Sequence, residues 1–205
     1  MVKPDGDQGR GSSTAPVCYA IPGNHDWYDG LNNFIRHILH REWLGGWRLP
    51  QNSSYFSLKL PRGWWVLGCD TSLTDDIDIE QYRYFAHIAR TAMAPGDRAI
   101  LLTHAPDWTL LNHSSVLAGR DPLAGPLDRD RHMGQLLHQL LHTDLAGKLA
   151  MRLAGDVHHY TRHSPCGNGL REGPQLVVSG GGGAFLHPTH CFHPRIVGNN
   201  GKLNP

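Results

Sequence analysis

The stretch AILLTHAP, residues 99–106, sets how the rest of the chain is read. Ala99, Ile100, Leu101 and Leu102 form an unbroken apolar run, as in a strand buried within a sheet. The run ends in His104, with Pro106 two residues later. Two other segments share that form. VCYAIPGNHD, residues 17–26, passes from apolar side chains into Asn24, His25 and Asp26, and LAMRLAGDVHHY, residues 149–160, passes into Asp156, His158 and His159. Ligands of open α/β sheets bind at the carboxyl ends of strands. These polar residues, distant in sequence, are therefore expected to converge on one edge.

Around those strands the pattern alternates. LNNFIRHILHREWL, residues 31–44, places Leu31, Phe34, Ile35, Ile38 and Leu39 on one helical stripe. SYFSLKL (54–60) alternates with period two, and Pro61-Arg62-Gly63 separates it from WWVLGCD (64–70), which predicts a β-hairpin. Helical spacing returns over residues 78–93 and 130–145, and PQLVVSGGGGAF (174–185) reads as a strand entering a glycine-rich loop. Two groups of strands interleaved with helices predict a layered α/β sandwich. Residues 1–16, rich in Gly, Ser, Pro and charge, are expected to be a disordered lead-in to one domain over 17–205.

Composition narrows the function classes. The 205 residues include 19 Lys and Arg against 18 Asp and Glu, so no basic nucleic-acid surface or acidic tail is indicated. Histidine is over-used, at 15 residues, which favours metal or acid–base chemistry. Cys18, Cys69, Cys166 and Cys191 are too scattered for a C-x-x-C pair or a disulfide framework, and Cys18 and Cys69 are expected to be buried, inert thiols. No apolar stretch reaches the roughly 20 residues of a membrane helix. A soluble, cytoplasmic segment is expected, although a longer parent protein could carry an anchor.

The donor chemistry of the strand ends is that of a metal site. Imidazole, carboxylate and amide together suit Zn, Mn or Fe better than Ca, which prefers oxygen alone, or Cu(I), which prefers sulfur. Within GDVHH, residues i and i+2 of an extended chain point the same way, so Asp156 and His158 are expected to face one point, with His159 opposite.

In these residues the chain resembles the calcineurin-like metallophosphoesterases, over about residues 17–190. Gly23-Asn24-His25-Asp26 matches the family's G-N-H-[DE] loop, His104 its lone histidine after a strand, and Gly155-Asp156-Val157-His158 its G-H-x-H segment. The resemblance implies an α/β/β/α sandwich and a centre of two divalent transition metals, Mn, Fe or Zn, acting on a phosphate ester. Asn24 and His104 would bind one metal; His158 sits where the family has a further ligand of that first site, and Asp156 where it has a ligand of the second. His25 would stay off the metal as general acid, and Asp26 would orient it. Asp156 departs from the family, which has histidine there; the carboxylate adds charge and favours a harder metal. The family also has a D-x-H and then a G-D segment upstream of G-N-H-[DE], and nothing upstream of Val17 supplies the first. Gly6-Asp7 follows no strand, and Asp130-Arg131-His132 opens a helix, where Asp128 or Asp130 reads better as an N-cap. Two expectations follow: the C-terminal portion of a longer phosphoesterase whose first strands lie upstream, or a degenerate, non-catalytic relative that binds a partner or a single metal. The preserved order of the remaining motifs favours the first.

His187, His190, Cys191 and His193 lie close in sequence but lack a recognised zinc spacing, and an active-site rim loop is the preferred reading. Residues 180–183 are glycines without the G-x-x-x-x-G-K-[ST] pattern of a phosphate-binding loop. Trp43, Trp47, Trp64 and Trp65 are core candidates, and Trp27 and Tyr28 could also wall a substrate pocket.

Overall fold

In the computed structural model, which describes residues 15–71, 76–108, 134–164 and 173–181, the first apolar run does not enter a sheet. Of residues 17–21 only Val17 makes a bridge, to Arg48, whose carbonyl accepts the Cys18 N–H at 2.8 Å. Ala20 is satisfied by a side chain instead. The buried Gln51 amide accepts from its N–H at 2.9 Å and donates to its carbonyl at 2.7 Å. A side-chain amide thus takes the place of a neighbouring strand, since any partner that satisfies the backbone will do. The strand expected at 17–21 is corrected accordingly, and Cys18 is half-buried where full burial was expected.

Next come α1 (Asn24–Trp27) and α2 (Asn32–Phe34), the latter continued by a wide i→i+5 turn over Ile35–Leu39. The predicted helix stops there and does not reach residue 44. Gly45-Gly46 favours a tight hairpin, and β1 (Trp43–Leu44) pairs antiparallel with β2 (Trp47–Arg48) across it. The second predicted hairpin forms as expected. Here β3 (Phe56–Leu60) lies antiparallel to β4 (Trp64–Gly68), with Arg62 and Gly63 left-handed in the turn at φ 63° and 74°. Helix α3 (Ile79–His87), extended by a wide turn over Ile88–Ala92, starts at Asp78, whose Oδ1 accepts the Gln81 N–H at 2.8 Å. Then follow β5 (Arg98–Thr103), α4 (Gln135–Gln139) with its wide turn Leu140–Asp144, β6 (Leu149–Ala154), β7 (Tyr160–His163) and β8 (Gln175–Ser179). Asp76 caps α4 from 61 residues away, accepting the Leu137 N–H at 2.8 Å.

Six strands form one mixed sheet in the order β3-β4-β5-β6-β8-β7. The four inner strands β4, β5, β6 and β8 run parallel, and β3 and β7 close the edges antiparallel. The chain is therefore mixed α/β, and the described strands make this sheet and the β1–β2 ribbon. The edge strand β7 has no counterpart in the sequence-based expectation.

The two faces of the sheet differ. Trp65, Leu67, Ala99 and Leu101 pack with Phe85, Ile88 and Ala89 of the α3 arm and Leu137, Leu140 and Leu141 of the α4 arm in the main core. On the other face, Val66, Ile100, Leu102, Met151 and Leu153 are only half-buried. Ile21 and Tyr19 reach this face beside β3, with the Tyr19 ring 5.1 Å from that of Phe56. Of the tryptophans expected in the core, Trp65 is buried, whereas Trp47 is 50% exposed and Trp64 is exposed as well. Among the described residues, these ribbon and hairpin-end positions are left open to solvent. No helix among the described residues is long and apolar enough to cross a membrane.

Candidate metal centre

Because the inner strands are parallel, their carboxyl ends share one edge. Asp70 follows β4, His104 follows β5, Asp156 follows β6 and Gly180 follows β8. The β5–β6 pairing extends past the strands, where the Gly155 N–H donates to His104 O at 3.0 Å. His104 and Asp156 are thereby delivered side by side.

His104 is the hub. Its Nε2 lies 3.1 Å from Asn24 Oδ1 and 3.1 Å from Asp156 Oδ1, so three of the predicted ligands, drawn from three segments of the chain, meet at one atom. Their side chains are partly open to solvent, at 26% for His104 and 39% for Asp156. Gly23 makes the approach feasible, since a Cβ there would lie 2.9 Å from His104 Cε1.

Asn24 opens α1, and Asp26 braces that turn: its Oδ2 accepts the Gly23 N–H at 2.8 Å. Asp26 thus aims the loop through its backbone. His25 is exposed, and its ring packs on Tyr28 with centroids 4.9 Å apart. Its backbone N–H donates to Asn24 Oδ1 at 2.9 Å, which helps turn that oxygen toward His104.

The 155–159 loop is not extended. Val157 N–H returns to Gly155 O and His159 N–H to Val157 O, each at 2.6 Å, and Asp156 is left-handed at φ 49°. The expectation that Asp156 and His158 share a direction as i and i+2 of a strand is therefore corrected, because two tight turns replace the pleat. Asp tolerates this backbone region better than most residues. Gly180 packs against the loop so closely that a Cβ would lie 2.2 Å from Val157 O, and its N–H donates to His159 O at 3.1 Å. His158 lies on this packed side, its Cα 3.2 Å from the same position.

One residue of this edge escaped the sequence reading. Asp70, 2% exposed, accepts the Trp27 indole N–H at 2.8 Å. The signal was available, because WWVLGCD is a fourth apolar run ending in a polar residue at a strand's carboxyl end.

No family model matches the chain, and no curated protein sequence does. The donor set must therefore be judged on its own geometry. Ligand bonds of about 2.0–2.2 Å at right angles separate donor atoms by about 2.8–3.1 Å, the spacing seen around His104. An amide oxygen and a carboxylate oxygen thus each lie at such a spacing from the imidazole nitrogen. Among the described residues, no group of three or more His, Cys, Asp or Glu side chains could hold a metal ion. The Asn24–His104–Asp156 trio has two such side chains and an amide. His187, His190, Cys191, His193, Cys166, Asp128, Asp130 and His132 lie outside the described residues.

Proposed function

We propose that this chain is a metal-dependent phosphoester hydrolase of the calcineurin-like type. The observation that carries this is the approach of Asn24 Oδ1 and Asp156 Oδ1 to His104 Nε2, each at 3.1 Å. Asn24, His104 and Asp156 would hold one divalent cation, Mn, Fe or Zn. Such a cation supplies Lewis acidity, lowering the pKa of bound water and drawing charge from phosphoryl oxygens. His25, beside this group in sequence and open to solvent, would protonate the departing alkoxide, its ring steadied by Tyr28. The half-buried row Val66, Ile100, Leu102, Met151 and Leu153 supports the layered α/β/β/α arrangement, because a parallel sheet needs cover on both faces.

The test is hydrolysis of an aryl phosphate by the purified chain with added Mn2+. Turnover that falls on His25→Ala while Mn2+ affinity holds is the expected result; turnover unchanged by His25→Ala would remove the acid role. A second role, cation binding without turnover, is favoured by one observation: the donors of the described residues gather around a single point. Mn2+ binding with no hydrolysis would establish it.

A further inference from the structure

We infer that Asp70 is a positioning residue for Asn24, acting through the Trp27 indole. Helix α1 buries none of its four residues, so apolar packing does not fix its direction. Its start is braced locally by Asp26 on the Gly23 N–H, and its end by Trp27 Nε1 donating to Asp70 Oδ1 at 2.8 Å across 43 residues. Asn24 and Trp27 are the first and last residues of one helical turn. Moving Trp27 therefore swings the Asn24 amide.

Asp70 is itself held rigidly. Its N–H donates to Gln81 Oε1 at 3.0 Å and its carbonyl accepts from Gln81 Nε2 at 2.9 Å. That same Nε2 donates to Asp78 Oδ2 at 3.1 Å, while Asp78 Oδ1 caps the first turn of α3. Gln81 is as buried as Asp70. A continuous polar chain thus runs from the start of α3, through Gln81, Asp70 and Trp27, to the turn that presents Asn24 to His104. Paired at each step and buried at Gln81 and Asp70, such a chain transmits position because neither of these two can rotate without stranding a polar group. Groups that orient a ligand from behind typically govern metal affinity by about 10–100-fold.

This rests on the reading of Asn24 as a cation ligand, and the experiment separates the two. On the full chain, Mn2+ affinity is measured for wild type, Trp27→Phe, Asp70→Asn, Asp70→Ala and Asn24→Ala, together with the side-chain amide resonance of Asn24 and the ring resonances of His104 without metal. Trp27→Phe removes the indole N–H donor and one of the two fused rings but keeps an aromatic side chain at a half-buried position, so the fold is expected to be retained. It is expected to weaken Mn2+ binding about 10-fold and to shift both sets of resonances. Asp70→Asn keeps an acceptor oxygen and should recover most of the wild-type affinity. Asp70→Ala combined with Trp27→Phe should be no worse than Asp70→Ala alone. Wild-type resonances in Trp27→Phe would overturn the positioning role, whatever happens to metal. If Asn24→Ala binds Mn2+ as wild type does, or wild type does not bind it, the ligand reading fails, and the resonances still decide whether Asp70 positions Asn24.

Discussion

The loops that bring Asn24 and Asp156 to His104 are fixed by different means. The first, residues 23–28, is held by side chains: Asp26 on the Gly23 N–H and Asp70 on the Trp27 indole. The second, residues 155–159, is held by backbone: Gly155 bonded to His104 O, two tight turns, and Gly180 packed against Val157. A side-chain tether can be cut with modest loss of stability. A backbone brace cannot, so the second loop behaves as the rigid wall of the site and the first as its adjustable jaw.

The sharpest way to break this contrast is Gly180→Ala. The added Cβ would meet the main-chain atoms of Val157, which cannot step aside, and a loss of about 3 kcal/mol is expected, read as a lower urea midpoint at unchanged slope. Gly23→Ala should cost less, about 1 kcal/mol, because the obstacle is the movable His104 ring; metal affinity should nevertheless fall, as the ring turns from Asn24. At Asp156 the contrast takes another form. Replacing Asp156 by Gly relieves the left-handed backbone at φ 49° while deleting a donor, so apo stability should stay within about 0.5 kcal/mol of wild type as Mn2+ affinity drops. The smallest effect concerns the approaches to the site. Cys18, half-buried on the lead-in to the first loop, should react with a maleimide under native conditions. Cys69, fully buried ahead of Asp70, has its thiol pushed far above the ordinary range by burial and should react only on unfolding.

The same contrast explains what the sequence disclosed. His104 and Asp156 were legible because the parallel inner strands, buried on one face and half-buried on the other, read as apolar runs, so the residue where a run stops marks the shared edge. Asn24 was legible through its motif, but its supporting strand was not real. Residues 17–21 satisfy Ala20 with the Gln51 side chain, and periodicity cannot tell that from a sheet neighbour. Asp70 was passed over because a single carboxylate carries no motif, and its meaning lies in a contact 43 residues away. The direction of His158 was misjudged because the left-handed turn at Asp156 breaks the strand period. Trp47 and Trp64, both exposed, read as core because aromatic character alone does not tell whether a ribbon or hairpin-end position is covered.

The central claim is that Asn24, His104 and Asp156 act as one cation site. The most direct measurement is a Mn2+ titration of the chain, followed by electron paramagnetic resonance, in wild type and in Asn24→Ala, His104→Ala, Asp156→Ala and His25→Ala. Binding weakened by at least about 10-fold in the first three variants and unchanged in His25→Ala is the predicted result. Equal affinity across wild type and the three ligand variants, or a loss in His25→Ala that matches theirs, would contradict it.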